Sequence, residues 1–180
     1  MYFPSTGLPL LQPLPCVKLY GESLKFVTSY VYLGIHINDK LNDDDCILAQ
    51  IRGLYSRANT IKRKFAVCSP TVKKTLFKSH CSQLFASQLW DSASPRVVSK
   101  CRIAYNNCFR ILMDLPRFCS ASEMFVSHVI DTFDAMWRKQ CYAFIPRIYN
   151  SSNSIIKSVL KSDANFRNNY LRNIWSRLYS

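Results

Sequence analysis

The chain has 180 residues, of which 48% are hydrophobic and 13% aromatic, so its composition excludes a disordered protein. It contains only four glycines, which disfavours an all-β sandwich and a glycine-rich phosphate loop. Lys and Arg number 24 against 11 Asp and Glu, a formal net charge of +13. This excess predicts an acidic partner, most simply nucleic acid, although anionic membranes and acidic proteins also attract basic surfaces.

The cysteines and the first residues bear on the cellular compartment. Eight cysteines lie at positions 16, 46, 68, 81, 101, 108, 119 and 141, and no two have the two-residue spacing of a zinc knuckle or redox motif. Several lie among apolar residues, which favours buried, reduced thiols over a disulfide framework. The first 16 residues contain four prolines and no basic leader, and the chain has no run of 18 apolar residues. We therefore expect no signal peptide, no membrane span and a cytoplasmic or nuclear location.

The first part of the chain predicts short strands. Residues 1–15 are expected to form an extended lead-in. The segments CVKLY (16–20) and LKFVT (24–28) flank Gly21-Glu22-Ser23, which suits a hairpin turn, and YVYLGIHI (30–37) predicts a third strand. Three short strands are marginally stable alone, so we expect this sheet to lean on helices or on protein outside this chain.

From residue 42 the apolar period changes to 3.6, which predicts helices. A long amphipathic helix is expected over 43–66, with one apolar face. That face comprises Ile47, Ile51, Leu54, Tyr55, Ala58, Ile61 and Phe65. Ser69 as N-cap and Pro70 at the first position predict a second helix to about Trp90, whose apolar residues surround most of its circumference, as in a central packed helix.

Further helices are predicted over 95–113 and 134–144, and Ser120 and Glu123 have capping-box spacing before another. Two weaker helices are expected near 154–161 and 166–178. The predicted fold class is therefore an α-rich α+β fold, in which a short antiparallel β region precedes a helical bundle. Its regions are the lead-in at 1–15, the β region at 16–41, the helical region at 42–149 and a weakly helical tail at 150–180.

Asp43, Asp44 and Asp45 form the only run of three acidic residues, and two hypotheses apply to it. As the start of the long helix, they would meet the positive end of its dipole, each favourable charge contributing about 0.3–1 kcal/mol. As a two-metal catalytic site, they would have to converge on ions about 3.5–4 Å apart. Adjacent residues on a helix point about 100° apart, so we favour the helix start and predict no metal site.

The remaining titratable residues predict no catalytic machinery. His36, His80 and His128 are isolated in sequence, and His80 is expected to be a core or boundary histidine of the second helix. The only glutamates are Glu22 and Glu123, so no carboxylate pair stands out for acid–base chemistry. We therefore predict no catalytic residue in this chain.

Six basic residues surround the junction of the first two helices. Lys62, Arg63 and Lys64 close the first helix, and Lys73, Lys74 and Lys78 open the second. Cations at the first helix's C-terminus complement its dipole, whereas lysines in the first turns of the next helix do not. Clustered cations near few acids predict a phosphate-contacting surface, with an ordinary solvated face as the alternative.

The segment YVYLGIHI, with its Tyr-Leu-Gly, an acidic stretch after it and then a long helix, resembles reverse transcriptases of non-LTR (LINE-type, jockey-like) retrotransposons. IRGLYSRANTIKRKFAVCSPTVKKTLFKSHCSQLFASQLW (51–90) is similar to the family's helical thumb, with R-x-N, R-K-F, C-S-x-x-V-K, L-F-K-S-x-C and L-W in order. AYNNCFRILMDLPRFCSASEMF (104–125) and RKQCYAFIPRI (138–148) resemble the region downstream of the thumb. The resemblance covers roughly residues 16 to 160.

The resemblance implies which residues contact nucleic acid. A hairpin around Tyr32, Leu33 and Gly34 would be the primer grip, with plain strand packing as the alternative for Tyr32 and Leu33. The thumb helices would lie along a template–primer duplex of RNA–DNA or DNA. Their phosphate-contacting residues would be Arg57, Lys62, Arg63, Lys64, Lys73 and Lys74.

The resemblance also implies what this chain does not supply. The family's aromatic-x-Asp-Asp box, which binds Mg²⁺, precedes the YLG strand, and no aspartate precedes Tyr32 here. We therefore expect no cofactor in this chain, no polymerisation by it alone, and a longer polymerase's palm and fingers as a further partner. The alternatives are a stand-alone basic helical nucleic-acid-binding protein, a transposon relic without function, and, more remotely, a nuclease built on Asp43–Asp45.

Overall fold

The computed structural model describes residues 17–162 and 165–179, so the predicted lead-in at 1–15 lies outside the described residues. Within them, seven helices and two antiparallel hairpins confirm the α-rich α+β class. The strands are β1 (Lys18–Leu19), β2 (Glu22–Ser23), β3 (Ser29–Tyr32) and β4 (Ile35–Asn38). The helices are α1 (Asp44–Lys64), α2 (Pro70–His80), α3 (Pro95–Met113), α4 (Ala121–His128), α5 (Phe133–Tyr149), α6 (Ser154–Ser162) and α7 (Phe166–Tyr179), with a 3₁₀ turn at Ser87–Leu89.

The β region differs from the prediction in both of its turns. The segment YVYLGIHI is not the single strand that its residue pattern predicts but a hairpin, because Leu33 (φ 49°) and Gly34 (φ 79°) reverse the chain and Tyr32 pairs with Ile35. This hairpin includes Tyr32, Leu33 and Gly34, the residues for which the resemblance implied one. The first hairpin turns at Tyr20 and Gly21 rather than at 21–23, so that Glu22 and Ser23 pair with Leu19 and Lys18. Both turns have positive φ at their two central residues, as in type I′ hairpin turns. Glycine adopts such angles freely, whereas Tyr20 and Leu33 are residues whose type gives no indication of positive φ.

The hydrophobic core is centred on α3. Eight of its residues are buried: Val97, Val98, Cys101, Ala104, Tyr105, Cys108, Phe109 and Leu112. Helix α1 packs along α3 through the predicted apolar face, on which Ile47, Leu54 and Ala58 are fully buried. Helices α2, α5 and α7 also contact α3, so one core unites the helical region with part of the tail.

The prediction that the second helix runs to Trp90 at the centre of the fold was wrong. Helix α2 ends at His80, and the amides of both Cys81 and Ser82 donate to the Phe77 carbonyl oxygen. The chain then turns at Ala86, whose φ is 57°. Leu84 and Trp90 still reach the core, whereas Phe85 remains 54% exposed. Residues 81–90 are as apolar as a buried helix, but Leu84 and Trp90 reach the core from a segment that is not α-helical.

The later helices follow the predicted order with one difference in length. Helix α3 has the predicted bounds, and Ser120 accepts a hydrogen bond from the Glu123 amide at the start of α4. Helix α5 continues past the predicted end at Phe144 to Tyr149 and includes Pro146. Proline removes one helical hydrogen bond, and the burial of Ile145 against the core helps to offset that loss.

Most of the described cysteines are buried in the core. The seven described cysteines are unpaired, and five of them are buried, which confirms predominantly buried thiols; Cys68 and Cys119 are partly exposed. Burial raises the pKa of Cys101 to about 12 and that of Cys141 to about 11, so these thiols are neutral near pH 7. No helix among the described residues combines the length and apolarity needed to cross a membrane.

Leu33 provides a test of the second hairpin. Leu33→Asn should stabilise the hairpin by about 0.5–1 kcal/mol, because Asn tolerates positive φ better than Leu does. Leu33→Val should weaken it, since a β-branched residue is strained at φ 49°. Amide hydrogen exchange of β3 and β4 would measure both changes. Equal protection in the two variants would contradict this account of the turn.

Candidate nucleic-acid interface

The aspartate run begins α1, as predicted, and each of its side chains binds a different partner. Asp43 is the N-cap residue, and its Oδ2 accepts hydrogen bonds from the Ser92 amide (2.9 Å) and hydroxyl (2.8 Å). Asp44 accepts from the Ser94 amide (2.8 Å) and hydroxyl (2.9 Å). Because Ser94 is the N-cap residue of α3, these bonds join the starts of the two central helices. The run is therefore structural.

Asp45 holds the second hairpin. Its Oδ2 accepts a hydrogen bond from Nδ2 of the buried Asn38 at 2.8 Å, and Asn38 also exchanges hydrogen bonds with Asn42. The three carboxylates thus diverge instead of facing one cation. Over the described part of the chain, no group of three His, Cys, Asp or Glu residues could hold a metal ion.

The predicted primer-grip residues form the tip of the second hairpin and face solvent. Tyr32 is 59% exposed and Leu33 75% exposed. The ring of Phe85 packs beside Gly34, where a Cβ atom would make an ordinary contact at 3.4 Å, so the positive φ of 79° rather than a lack of space favours glycine there. The exposed side chains do not show the strand packing that was the alternative for Tyr32 and Leu33. Their predicted contact with a primer stays a prediction.

The six basic residues at the junction of α1 and α2 divide into two groups. Lys62 and Lys73 point towards Asp114, the residue that caps the end of α3. Lys62 pairs with Asp114 Oδ1, and Lys73 Nζ lies 3.4 Å from Oδ2. Lys73 is only 8% exposed. Both lysines therefore stabilise the packing of three helix ends and are poorly placed for phosphate.

Lys62 and Lys73 lower the pKa of the Asp114 carboxyl group that lies between them. The hydrogen bond from Lys62 holds the pKa of Asp114 below its usual value of 3.8, and the charge of Lys62 and the hydrogen bond from Lys73 act in the same direction against desolvation. Asp114 is 52 residues from Lys62 in sequence, so no local pattern could have revealed this anchor.

The other four basic residues face outwards, and we call Arg63, Lys64, Lys74 and Lys78 the outer cations. Arg63, Lys64 and Lys78 are exposed, and Lys74 is partly exposed. None of the four forms a salt bridge with a carboxylate among residues 17–162 and 165–179. They therefore form a positively charged surface with its charges available to an acidic partner.

Arg57 lies on α1 beside the outer cations, in a cleft between α1 and α2. The cleft has a volume of about 330 Å³. It is lined by Ser56, Arg57, Thr60, Ile61, Lys64, Phe65, Leu76 and His80. The prediction of His80 as a core or boundary residue was wrong, because α2 ends there and leaves the ring exposed at this cleft. Sequence reasoning missed the exposure of His80 because it extended the helix by ten residues.

A larger cleft, of about 540 Å³, opens between α5, α6 and α7. Its lining is mostly apolar, with residues such as Phe144, Ile156 and Leu160, and it includes no Lys or Arg. It therefore does not match an acidic partner, in spite of its size.

Asp44 tests the structural account of the aspartate run. Asp44→Ala should lower the free energy of unfolding by about 1–3 kcal/mol, because it removes two charge-assisted hydrogen bonds to Ser94. Glu22→Ala, which removes an exposed charge from β2, should change it by less than about 0.5 kcal/mol. Urea denaturation with and without Mg²⁺ would measure both. A Mg²⁺-dependent stabilisation of the unaltered protein that Asp44→Ala abolishes would restore the metal-site hypothesis.

Asp114 tests the inward group of lysines through pH. Asp114→Asn keeps a residue that tolerates the φ of 56° but removes the charge, so its unfolding temperature should be lower near neutral pH. The folded pKa of Asp114 lies below 3.8, so its stabilisation is complete above that pH and is lost as pH falls through the folded value. The gap between the two proteins should therefore close in acid.

The matched control for this variant is Asp131→Asn, which breaks an exposed pair with Lys139 and should have a smaller effect. A gap between Asp114→Asn and the unaltered protein that stays constant down to the lowest pH at which both fold would rule out the ion-pair explanation.

Comparisons with protein-family profiles, with curated proteins and with solved structures each returned no match to this chain. The resemblance to non-LTR retrotransposon reverse transcriptases therefore rests on the residues quoted for it.

Proposed function

We propose that this chain binds a nucleic-acid duplex as the primer-grip and thumb part of a non-LTR retrotransposon reverse transcriptase. The observation that carries the proposal is the set of four outer cations at one corner of α1 and α2, which no described carboxylate neutralises. The net charge of +13 supports the same class of partner.

The outer cations suit the phosphate backbone rather than base edges. Flexible Lys side chains on a helix surface act as point charges, and each phosphate that they neutralise releases condensed counterions. Such contacts hold a duplex irrespective of its sequence. This is the requirement for a protein that must grip a template–primer at successive positions.

The position of the second hairpin supports contact at two places along a duplex. Strand β4 contacts α1 and is tied to its first turn, whereas Arg63 and Lys64 lie at its last turn. The 21 residues of α1 span about 30 Å at about 1.5 Å per residue. That length corresponds to about nine base pairs of duplex at about 3.4 Å each. A duplex along α1 would therefore meet the outer cations near one end of the helix and the hairpin near the other.

The proposed role is holding, not nucleotide addition. All three aspartates of the run bind serine or asparagine partners within the fold, so they are committed to structure. In the family that the chain resembles, the Mg²⁺-binding carboxylates belong to the palm, which would be a further partner of this chain.

A second candidate is a stand-alone duplex-binding protein. The observation that favours it is the continuous core that extends from Ile47 to Ile174 and unites α1 with α7 without another polypeptide. The two candidates share the outer cations and differ in the hairpin. Only the primer-grip proposal requires the tip at Leu33 to contact the primer terminus. A crosslink from that tip to a recessed 3′ end would favour it over uniform contact along the duplex.

The outer cations are tested by a salt titration of duplex binding. Replacing Arg63, Lys64, Lys74 and Lys78 by Gln should flatten the dependence of log Kd on log salt by about 3 to 4, since each neutralised phosphate contributes about 0.9. The matched control replaces four exposed cations elsewhere by Gln, namely Lys100, Arg147, Lys157 and Lys161. It removes the same charge and should alter the slope little. Equal slopes for the two variants would reject the assigned surface.

A further inference from the structure

The Arg57 guanidinium is held in an unusual environment for a charged group. Its Nε and Nη2 atoms are shielded from solvent and have no hydrogen-bond partner among the described residues. Gly53 lies one helical turn before Arg57, and a Cβ atom there would be only 3.1 Å from Nη1. The absence of a side chain at Gly53 therefore makes room for the guanidinium. Buried, unpaired N–H donors of a charged group are costly, so the guanidinium gains from any anion nearby. Because Nε and Nη2 are closed to a ligand as well as to water, such an anion would contact the part of the partly exposed side chain that lines the cleft between α1 and α2.

The surrounding protein supplies little negative charge. No salt bridge among the described residues involves Arg57. Cys81 and Cys108 lie within electrostatic reach of it, but burial raises the pKa of Cys81 to about 11 and that of Cys108 to about 12, although Arg57 acts to lower both. These thiols are therefore neutral near pH 7 and leave the guanidinium unpaired.

The dipole of helix α2 does not neutralise the positive charge of Arg57. Helix α2 ends at His80, which lines the same cleft as Arg57, and a helix C-terminus carries about half a negative charge. Lys64 and Arg57 together bring two positive charges to that cleft. The local charge therefore remains positive, so the cleft attracts an anion.

We propose that the cleft between α1 and α2 is an anion site that takes one phosphate group, with Arg57 as its central cation and Lys64 and His80 at its sides. This proposal rests on the proposed function in one respect: the phosphate belongs to the backbone of the bound nucleic acid. Planar guanidinium groups match phosphate oxygens closely, and the weak hydration of Arg lowers the cost of enclosing the contact. The outer cations hold phosphates on an open surface, whereas this cleft would hold one phosphate between Arg57, Lys64 and His80.

The site predicts opposite effects of one substitution on stability and on binding. Arg57→Met keeps most of the side-chain volume and removes the unpaired charge. In phosphate-free buffer the variant should unfold at the same temperature as the unaltered protein or at a higher one. Inorganic phosphate, at constant ionic strength, should raise the unfolding temperature of the unaltered protein but not that of the variant. In duplex binding the variant should lose about one from the salt slope.

The matched control is Arg52→Met, which removes an exposed arginine from the same helix, outside the cleft. It should keep both the stabilisation by phosphate and the salt slope. The inference is overturned if Arg57→Met unfolds at a lower temperature and phosphate still stabilises it as much as the unaltered protein, because Arg57 would then be a structural residue only.

The outcomes also separate this inference from the proposed function. If the outer-cation variant flattens the salt slope but Arg57→Met changes neither the slope nor the response to phosphate, the duplex-binding proposal stands and the cleft site fails. If neither variant changes the slope but phosphate stabilises only proteins that retain Arg57, the site stands as one for a free phosphate and its assignment to nucleic acid fails.

Discussion

The burial of α3 is the constraint on which the rest of the structure depends. Its eight buried side chains supply the surface against which α1 packs along its length and which α2, α5 and α7 also contact. The aromatic side chains Tyr105 and Phe109 both pack edge-on against Phe77 of α2, with ring centroids 5.1 and 4.9 Å apart. Hydrogen bonds from Ser94 to Asp44 align the first turns of α1 and α3, and Asp114 joins their other ends. The positions of the six basic residues at the junction of α1 and α2 follow from this packing.

The same frame determines which charges are available to a partner. Because α3 occupies the centre, α2 is peripheral and buries only Lys73 and Phe77. Its other lysines, Lys74 and Lys78, are left towards solvent next to the last turn of α1. The ion pairs of Lys62 and Lys73 with Asp114 hold that last turn and the start of α2 together. Lys62 and Lys73 thus stabilise the junction of α1 and α2, and the four outer cations are left available to a partner.

The sequence predicted those features that have a local chemical cause. Ser69-Pro70 and Pro95 mark helix starts because a cap and a proline act within one turn, and the structure begins α2 and α3 there. The aspartate run was recognised as a helix start for the same reason. The residue pattern continued one strand through Leu33 because leucine gives no signal for positive φ, and only the resemblance implied a hairpin there. The end of α2 was missed because 81–90 is as apolar as a buried helix. The role of Asp114 and the unpaired guanidinium of Arg57 depend on residues brought together only by folding.

The central claim is that a duplex covers the outer cations, and lysine footprinting tests it most directly. The protein would be acetylated with and without a template–primer duplex, and each lysine would be quantified by mass spectrometry. The account predicts that Lys64, Lys74 and Lys78 become protected by the duplex. Lys157 and Lys161, which are exposed on α6 as Lys64 and Lys78 are at the junction of α1 and α2, should remain reactive. Unchanged reactivity at the first three, or protection of α6 instead, would contradict it.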